Sequence, residues 1–273
     1  MKFSQAKQNF YQQINQSDSQ IDLALSALYI AQNQFNEINP QQYIHALDAI
    51  AAEIKARLPQ SRYPLKIIQT INKYLFQELG FIGNYENYYD PLNSYLNQVI
   101  KRRTGIPITL SVIYLEIAKR IDFPMVGIGM PGHFLIRPDF EEAGIYVDAF
   151  NQGEVLFTED CEARLSQIYH QPVQLKPEFL AAVSQRQILA RILTNLKIIY
   201  MNSEQFEIAV SMIEFILLLF PNAITEKRDR GILYYQLKRW IEARQDLEDY
   251  LRYSPSGQDA SVIRQLLARI ASY

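Results

Sequence analysis

The stretch GIPITLSVIYLEIAKRIDFPMVGIGMPGHFLIR, from Gly105 to Arg137, decides the fold. Its first half reads as a helix over 107–121 that is apolar on most sides, with Leu110, Val112, Ile113, Tyr114, Leu115, Ile117 and Ala118. Such a helix is buried on most sides. After Phe123-Pro124 the texture changes. Met125 to Met130 reads as a strand, Pro131-Gly132 as a turn, and His133 to Arg137 as a second strand. Ile145 to Phe150 gives a third strand, Asn151-Gln152-Gly153 a turn, and Glu154 to Phe157 a fourth. A buried helix on a small antiparallel sheet is an α+β core.

Upstream of this core the chain reads as helices. Asp18 is placed as a cap for a helix over 19–34, which carries Ile21, Leu25, Leu28 and Tyr29 on one face. A second helix opens at Pro40 and is closed by Pro59, and a third runs from Pro64 to Glu78 with Gly80 as its stop. Asp90-Pro91 starts a fourth, which ends in Lys101, Arg102 and Arg103.

Downstream the helices return as a repeat. Phe206, Ala209 and Pro221 recur 34 residues on as Trp240, Ala243 and Pro255, and Tyr200 recurs as Tyr234. Gly231, Tyr234, Ala243 and Pro255 fit the tetratricopeptide pattern of a small residue, an aromatic, a tight contact and a stop. The earlier copy is degenerate, with Lys197 at the small-residue position, and residues 258–271 are expected to close the stack. The expected division is therefore an α+β unit over 1–183 and an all-α repeat over 185–273. The joint is expected at Gln171-Pro172 to Pro177, and apolar Leu175 and Phe179 favour docked halves.

Composition narrows the function. Of 273 residues 48% are hydrophobic and 21% charged, as in ordinary globular proteins. The 27 basic and 29 acidic side chains leave a net charge of −2, which opposes a phosphate-tracking groove and so a nucleic-acid partner. A single cysteine, Cys161, excludes an internal disulfide and every multi-cysteine metal motif. The histidines His45, His133 and His170 lack metal-ligand spacing, so no metal or cofactor is expected. No secretory signal is visible from Met1 to Gln13, and the longest apolar run is Phe215 to Phe220, against the roughly 20 residues that span a bilayer. A cytoplasmic protein without a membrane partner is expected.

The chemistry-bearing candidates are His133 and Asp148, on two neighbouring strands. A carboxylate beside an imidazole fixes its tautomer. A nucleophile would stand at the start of the buried helix, where the dipole favours an anion. That turn offers Thr109 and Ser111 and no cysteine. Cys161 lies beyond the strands among Glu159, Asp160 and Glu162, which disfavour a thiolate. It is expected at the start of a helix over 158–169, away from the pair. Structural roles compete for each residue. His133 can satisfy backbone carbonyls, Asp148 can bind turn amides near Gly153, Thr109 and Ser111 can cap, and Tyr85, Tyr88, Tyr89 and Tyr95 can be packing.

Asn93-Ser94-Tyr95-Leu96, Arg102-Arg103-Thr104-Gly105-Ile106-Pro107, Leu110-Ser111, Pro131-Gly132-His133-Phe134-Leu135 and Asp148-Ala149-Phe150 resemble the bacterial SirB-type family. That family belongs to the transglutaminase-like branch of the papain-type fold and joins this core to tetratricopeptide repeats. The resemblance implies that His133 and Asp148 match the histidine and aspartate of the superfamily's triad, while the cysteine position falls near Pro107. The missing cysteine and the helical repeat favour a non-catalytic interaction or regulatory protein, a pseudoenzyme, with a protein or peptide partner. The alternative is a cysteine-independent amide or ester hydrolase or acyl transferase using Thr109 or Ser111. The inherited cleft is expected to be lined by Tyr88, Tyr89, Asn93, Arg103 and Pro107.

Overall fold

The computed structural model describes residues 4–140 and 144–271. The chain divides into two compact units, Met1–Leu189 and Ala190–Tyr273. None of the described helices is long and apolar enough to cross a membrane.

The first unit opens with helices α1 (Gln5–Ile14), α2 (Leu23–Gln34), α3 (Pro40–Ala56) and α4 (Pro64–Asn72). Prolines at the first position of α3 and α4 supply a preset φ where no N–H partner is needed. The cap of α2 is Asp22, whose carboxylate accepts from Leu25 N at 2.9 Å. Asp18, expected in that role, instead starts a 3₁₀ turn, and its carboxylate accepts from the amides of Gln185 and Arg186 at 2.9 and 3.1 Å. It caps a helix 167 residues away, a pairing with no local signature. Past Asn72 the expected third helix widens into a π-helix over Lys73–Glu78. Asp90-Pro91 starts only a 3₁₀ turn, and α5 (Leu96–Arg102) begins after it. Two short strands, β1 (Ile82–Gly83) and β2 (Thr104–Gly105), pair in parallel.

Helix α6 (Pro107–Arg120) is buried from Pro107 through Ala118. It packs on β3 (Met125–Ile128) and β4 (Leu135–Pro138), which pair with β5 (Tyr146–Asp148), β6 (Glu154–Leu156) and β7 (Ala182–Val183). The sheet is antiparallel, in the order β6-β5-β4-β3-β7. Along the strands the side chains alternate. Val126, Ile128, Leu135 and Tyr146 join a cluster with Cys161 and Leu165 of α7 (Thr158–Tyr169). Ile136 and Val147 face the other way and are fully buried.

Residues 171–177 are not a joint. Val173 and Leu175 pack on the α7 cluster, and β7 adds the edge strand beside β3. Apolar side chains in that stretch are held by the core of the first unit, and the division into units falls after Leu189.

In the second unit α9 (Phe206–Leu219) and α11 (Trp240–Tyr253) are equivalent. Each has 14 residues, and their starts and ends are both offset by 34. Glu204 and Lys238, also 34 apart, both take φ near +57°, at 58° and 57°. Ala209 and Ala243 are fully buried. In α10 (Ile224–Gln236) a Cβ on Gly231 would approach the Leu247 side chain to 2.8 Å, so only glycine lets α10 and α11 come this close. Lys197, in α8 (Gln185–Asn202), occupies the matching position and reaches the Glu226 and Asp229 carboxylates at 2.8 and 3.1 Å. Its stem fills the space while its charge is paired, which is how the repeat tolerates it. Helix α12 (Ala260–Ile270) follows α11 and packs on it.

Candidate functional site

Met130-Pro131-Gly132-His133 is a turn closed by His133 N donating to Met130 O at 3.1 Å, with Gly132 at φ +73°. It delivers the imidazole just ahead of the start of β4. Strand β5 ends at Asp148, and the chain turns back so that Gly153 N donates to Asp148 O at 2.9 Å. The two side chains meet, with His133 Nε2 2.8 Å from Asp148 Oδ2. Asp148 is fully buried and His133 is 7% exposed.

Asp148 carries more than a histidine. Oδ1 accepts from the amides of Phe150 and Asn151 at 3.1 and 3.2 Å. Oδ2 also accepts from Asn151 Nδ2 at 2.7 Å and from Arg164 Nη1 at 2.9 Å. Burial pushes this carboxyl's pKa up, but the His133 hydrogen bond and charge, the Asn151 amide and the Arg164 guanidinium outweigh it and hold the pKa below the usual range. Both the imidazole reading and the turn-amide reading of Asp148 therefore describe the same residue. Arg164 has no counterpart in the sequence reading. Its signal was there: Cys161, Arg164, Leu165 and Ile168 lie at helical spacing on one stripe of α7, and a cation in an otherwise apolar stripe implies a buried partner.

The two hydroxyls are otherwise engaged. Thr109 Oγ1 accepts from Ile106 N at 3.1 Å and donates to Asn93 O at 2.7 Å, closing the first turn of α6. Ser111 is fully buried, and its Oγ has no hydrogen-bond partner, so it does not bond the imidazole. Neither hydroxyl has His133 as a base. Cys161 sits in the first turn of α7, buried among Ile128, Met130, Leu135 and Leu165. Burial first, then Asp160 and Asp148, push its pKa to about 12. A thiol so held is a packing group. In the native protein Cys161 is expected to resist iodoacetamide at pH 8 and to react fully once urea unfolds the chain. Mass spectrometry of the alkylated protein reads both states.

Of the residues expected to line a cleft, two are corrected. Asn93 is fully buried, and its amide donates to the carbonyls of Asn87 and Tyr88 at 2.8 and 3.2 Å. It pins the tyrosine-rich loop to the start of α6. Pro107 is buried as the first residue of that helix. Arg103 turns the chain at φ 54° and donates to Leu79 O at 2.7 Å, which holds β1 against β2. Tyr88 is half-buried with its ring 6.1 Å from that of Phe150, Tyr89 is 71% exposed, and the Phe150 ring is itself 6.1 Å from the imidazole. The phenol of Tyr85 donates to Asn151 Oδ1. The aromatic loop thus reaches the dyad through Phe150 and Asn151. Among the described residues no cluster of three or more His, Cys, Asp or Glu side chains offers a metal site.

A helix buried on an antiparallel sheet, with histidine and aspartate on adjoining strands, is the core of a papain-like or transglutaminase-like protein. Residues 41–194 match the Transglutaminase-like superfamily, to which this chain belongs, and residues 196–268 match the Tetratricopeptide repeat. The chain is 36% identical over 259 residues to a UPF0162 protein of Xylella fastidiosa (strain 9a5c), covering 93% of this chain and 92% of that one. It is 26% identical over 234 residues to Protein SirB1 of Salmonella typhimurium, covering 85% and 87%. It is also 29% identical over 188 residues to F-box only protein 21 of Mus musculus, covering 65% of this chain and 29% of that one. No solved structure matches it. The SirB-type character and the α+β core with a helical repeat therefore stand, and tetratricopeptide repeats are in general protein-interaction surfaces.

Proposed function

We propose that this protein is a non-catalytic interaction or regulatory protein, whose transglutaminase-like core keeps the dyad as a structural clamp. One observation supports this above the others: Asp148 accepts five hydrogen bonds, one of them from the Arg164 guanidinium. In a working triad the aspartate's charge supports the imidazolium that forms during acyl transfer. Here Arg164 shares that charge, and the helix start holds Pro107 and a capping Thr109 in place of a nucleophile. The pair joins β4, β5 and α7 at one point. The helical repeat supplies the surface for a protein or peptide partner.

A fluorophosphonate acyl probe tests this. Neither Thr109 nor Ser111 is expected to be labelled, and hydrolysis of p-nitrophenyl acetate is expected to be the same for the native protein and His133→Ala. Labelling of either hydroxyl that disappears in His133→Ala sinks the reading in favour of a hydrolase or acyl transferase.

A further inference from the structure

A cavity of about 560 Å³ opens in the first unit, well within the size that holds a small molecule. It is lined by Arg137 of β4, Tyr146 of β5, Thr158 at the start of α7, and Leu175, Lys176 and Leu180 of the segment that follows α7. Two cations, two hydroxyls and two leucines share the space, and no carboxylate among the described residues lines it. Among the described residues the cations lack counter-ions. Arg137 donates to Pro138 O at 2.9 Å, the Lys176 ammonium lies 5.9 Å from the Phe179 ring centre, and neither forms an ion pair with a described residue. Arg137 is half-buried, so its charge is partly stripped of water with no described carboxylate paired to it.

Tyr146 adds a donor. Burial first, then the nearby Cys161, raise its pKa, so the phenol keeps its proton. The guanidinium offers a planar fork that fits a carboxylate. The leucines offer no solvation to a second or third charge, which disfavours a phosphate. We propose that this cavity binds a small amphipathic carboxylate, with its head on Arg137 and Lys176 and its apolar body against Leu175 and Leu180. The site uses neither His133 nor Asp148 and is independent of the function proposed above.

Calorimetric titration of the full chain with octanoate tests it, with octanol, octylamine and acetate as comparisons. Octanoate is expected to bind with one site per chain. Octanol and octylamine lack the head, acetate lacks the body, and each is expected to be weaker by about tenfold or more. Arg137→Gln and the exposed Lys176→Gln are each expected to weaken octanoate by about tenfold. Lys176→Gln keeps the test open if Arg137→Gln disturbs folding. No heat of binding at millimolar octanoate overturns the proposal. So does octylamine binding as tightly as octanoate, or octanoate binding undiminished in Lys176→Gln.

Discussion

Replacing Asp148 with alanine is expected to cost the first unit on the order of 3–5 kcal/mol, the scale for removing one partner of a buried ion pair. From sequence the cost reads as about 1–3 kcal/mol, because only a buried imidazole loses its acceptor. The structure raises it. Arg164 Nη1, Asn151 Nδ2 and the amides of Phe150 and Asn151 lose the same acceptor together. Folded domains hold only about 5–15 kcal/mol in total, so this is a large share. Urea unfolding followed by circular dichroism measures it. Trp240 lies in the second unit, so its fluorescence reports on that unit.

The same residue predicts a pH dependence. Its folded pKa lies below the unfolded value of about 3.9. A carboxyl with a depressed folded pKa contributes stability above its unfolded pKa and loses it as pH falls through the folded one. The difference between native protein and Asp148→Asn is therefore expected to shrink as pH falls below about 4. A difference that instead grows as pH falls below about 4 contradicts an Asp148 with a depressed folded pKa.

Replacing Gly153 with alanine is expected to cost about 3 kcal/mol, in two parts separable by a second glycine. Gly153 takes φ +74°, and a Cβ there would overlap the Asn72 side chain, with Nδ2 only 2.6 Å away. Asn72 has no room to yield. Its Nδ2 donates to Gly153 O at 2.6 Å, and its Oδ1 accepts from the buried Tyr114 hydroxyl of α6 at 3.0 Å. Gly80 takes the same φ of +74° with nothing within 4 Å of its added Cβ. Gly80→Ala therefore carries the backbone strain alone, about 1–2 kcal/mol. Gly153→Ala carries the strain plus the collision. Equal losses in the two variants, measured by the same urea titrations, are the result that would falsify the collision. Asn72→Ala in the Gly153→Ala background is expected to cost less than the separate losses added, because the two side chains contend for one space.

Much of the core was legible because its signals are local. The mostly apolar stretch from Ile108 to Ala118, the change of texture at Pro124 and the turn at Pro131-Gly132 fix a buried helix followed by strands. The 34-residue offset fixes the helical repeat, since each copy carries the same small and aromatic positions for the same packing reason. The missed elements have no such signal. Helix α1 is polar at most positions, with only Ala6, Phe10 and Ile14 as buried apolar residues. Strands β1, β2 and β7 have two residues each and exist only through the partners they meet. Asp18 looks like a local cap and serves a distant helix.

The site divides in the same way. His133 and Asp148 were legible as a pair, because each ends a turn-marked strand and their chemistry suits contact. The absence of a thiol at Pro107 was legible from one letter. Tertiary structure alone decided which groups the pair meets. Arg164 reaches the same carboxylate oxygen from α7, 16 residues beyond Asp148, and Thr109 is spent on a carbonyl 16 residues before it. Local periodicity specifies which face of an element is buried. Which polar groups share a buried acceptor depends on how the faces dock, because a hydrogen bond forms only within a few tenths of an ångström of its ideal length. The residue types by themselves do not place Arg164, and the packing of α7 on the sheet brings its guanidinium to the Asp148 carboxylate.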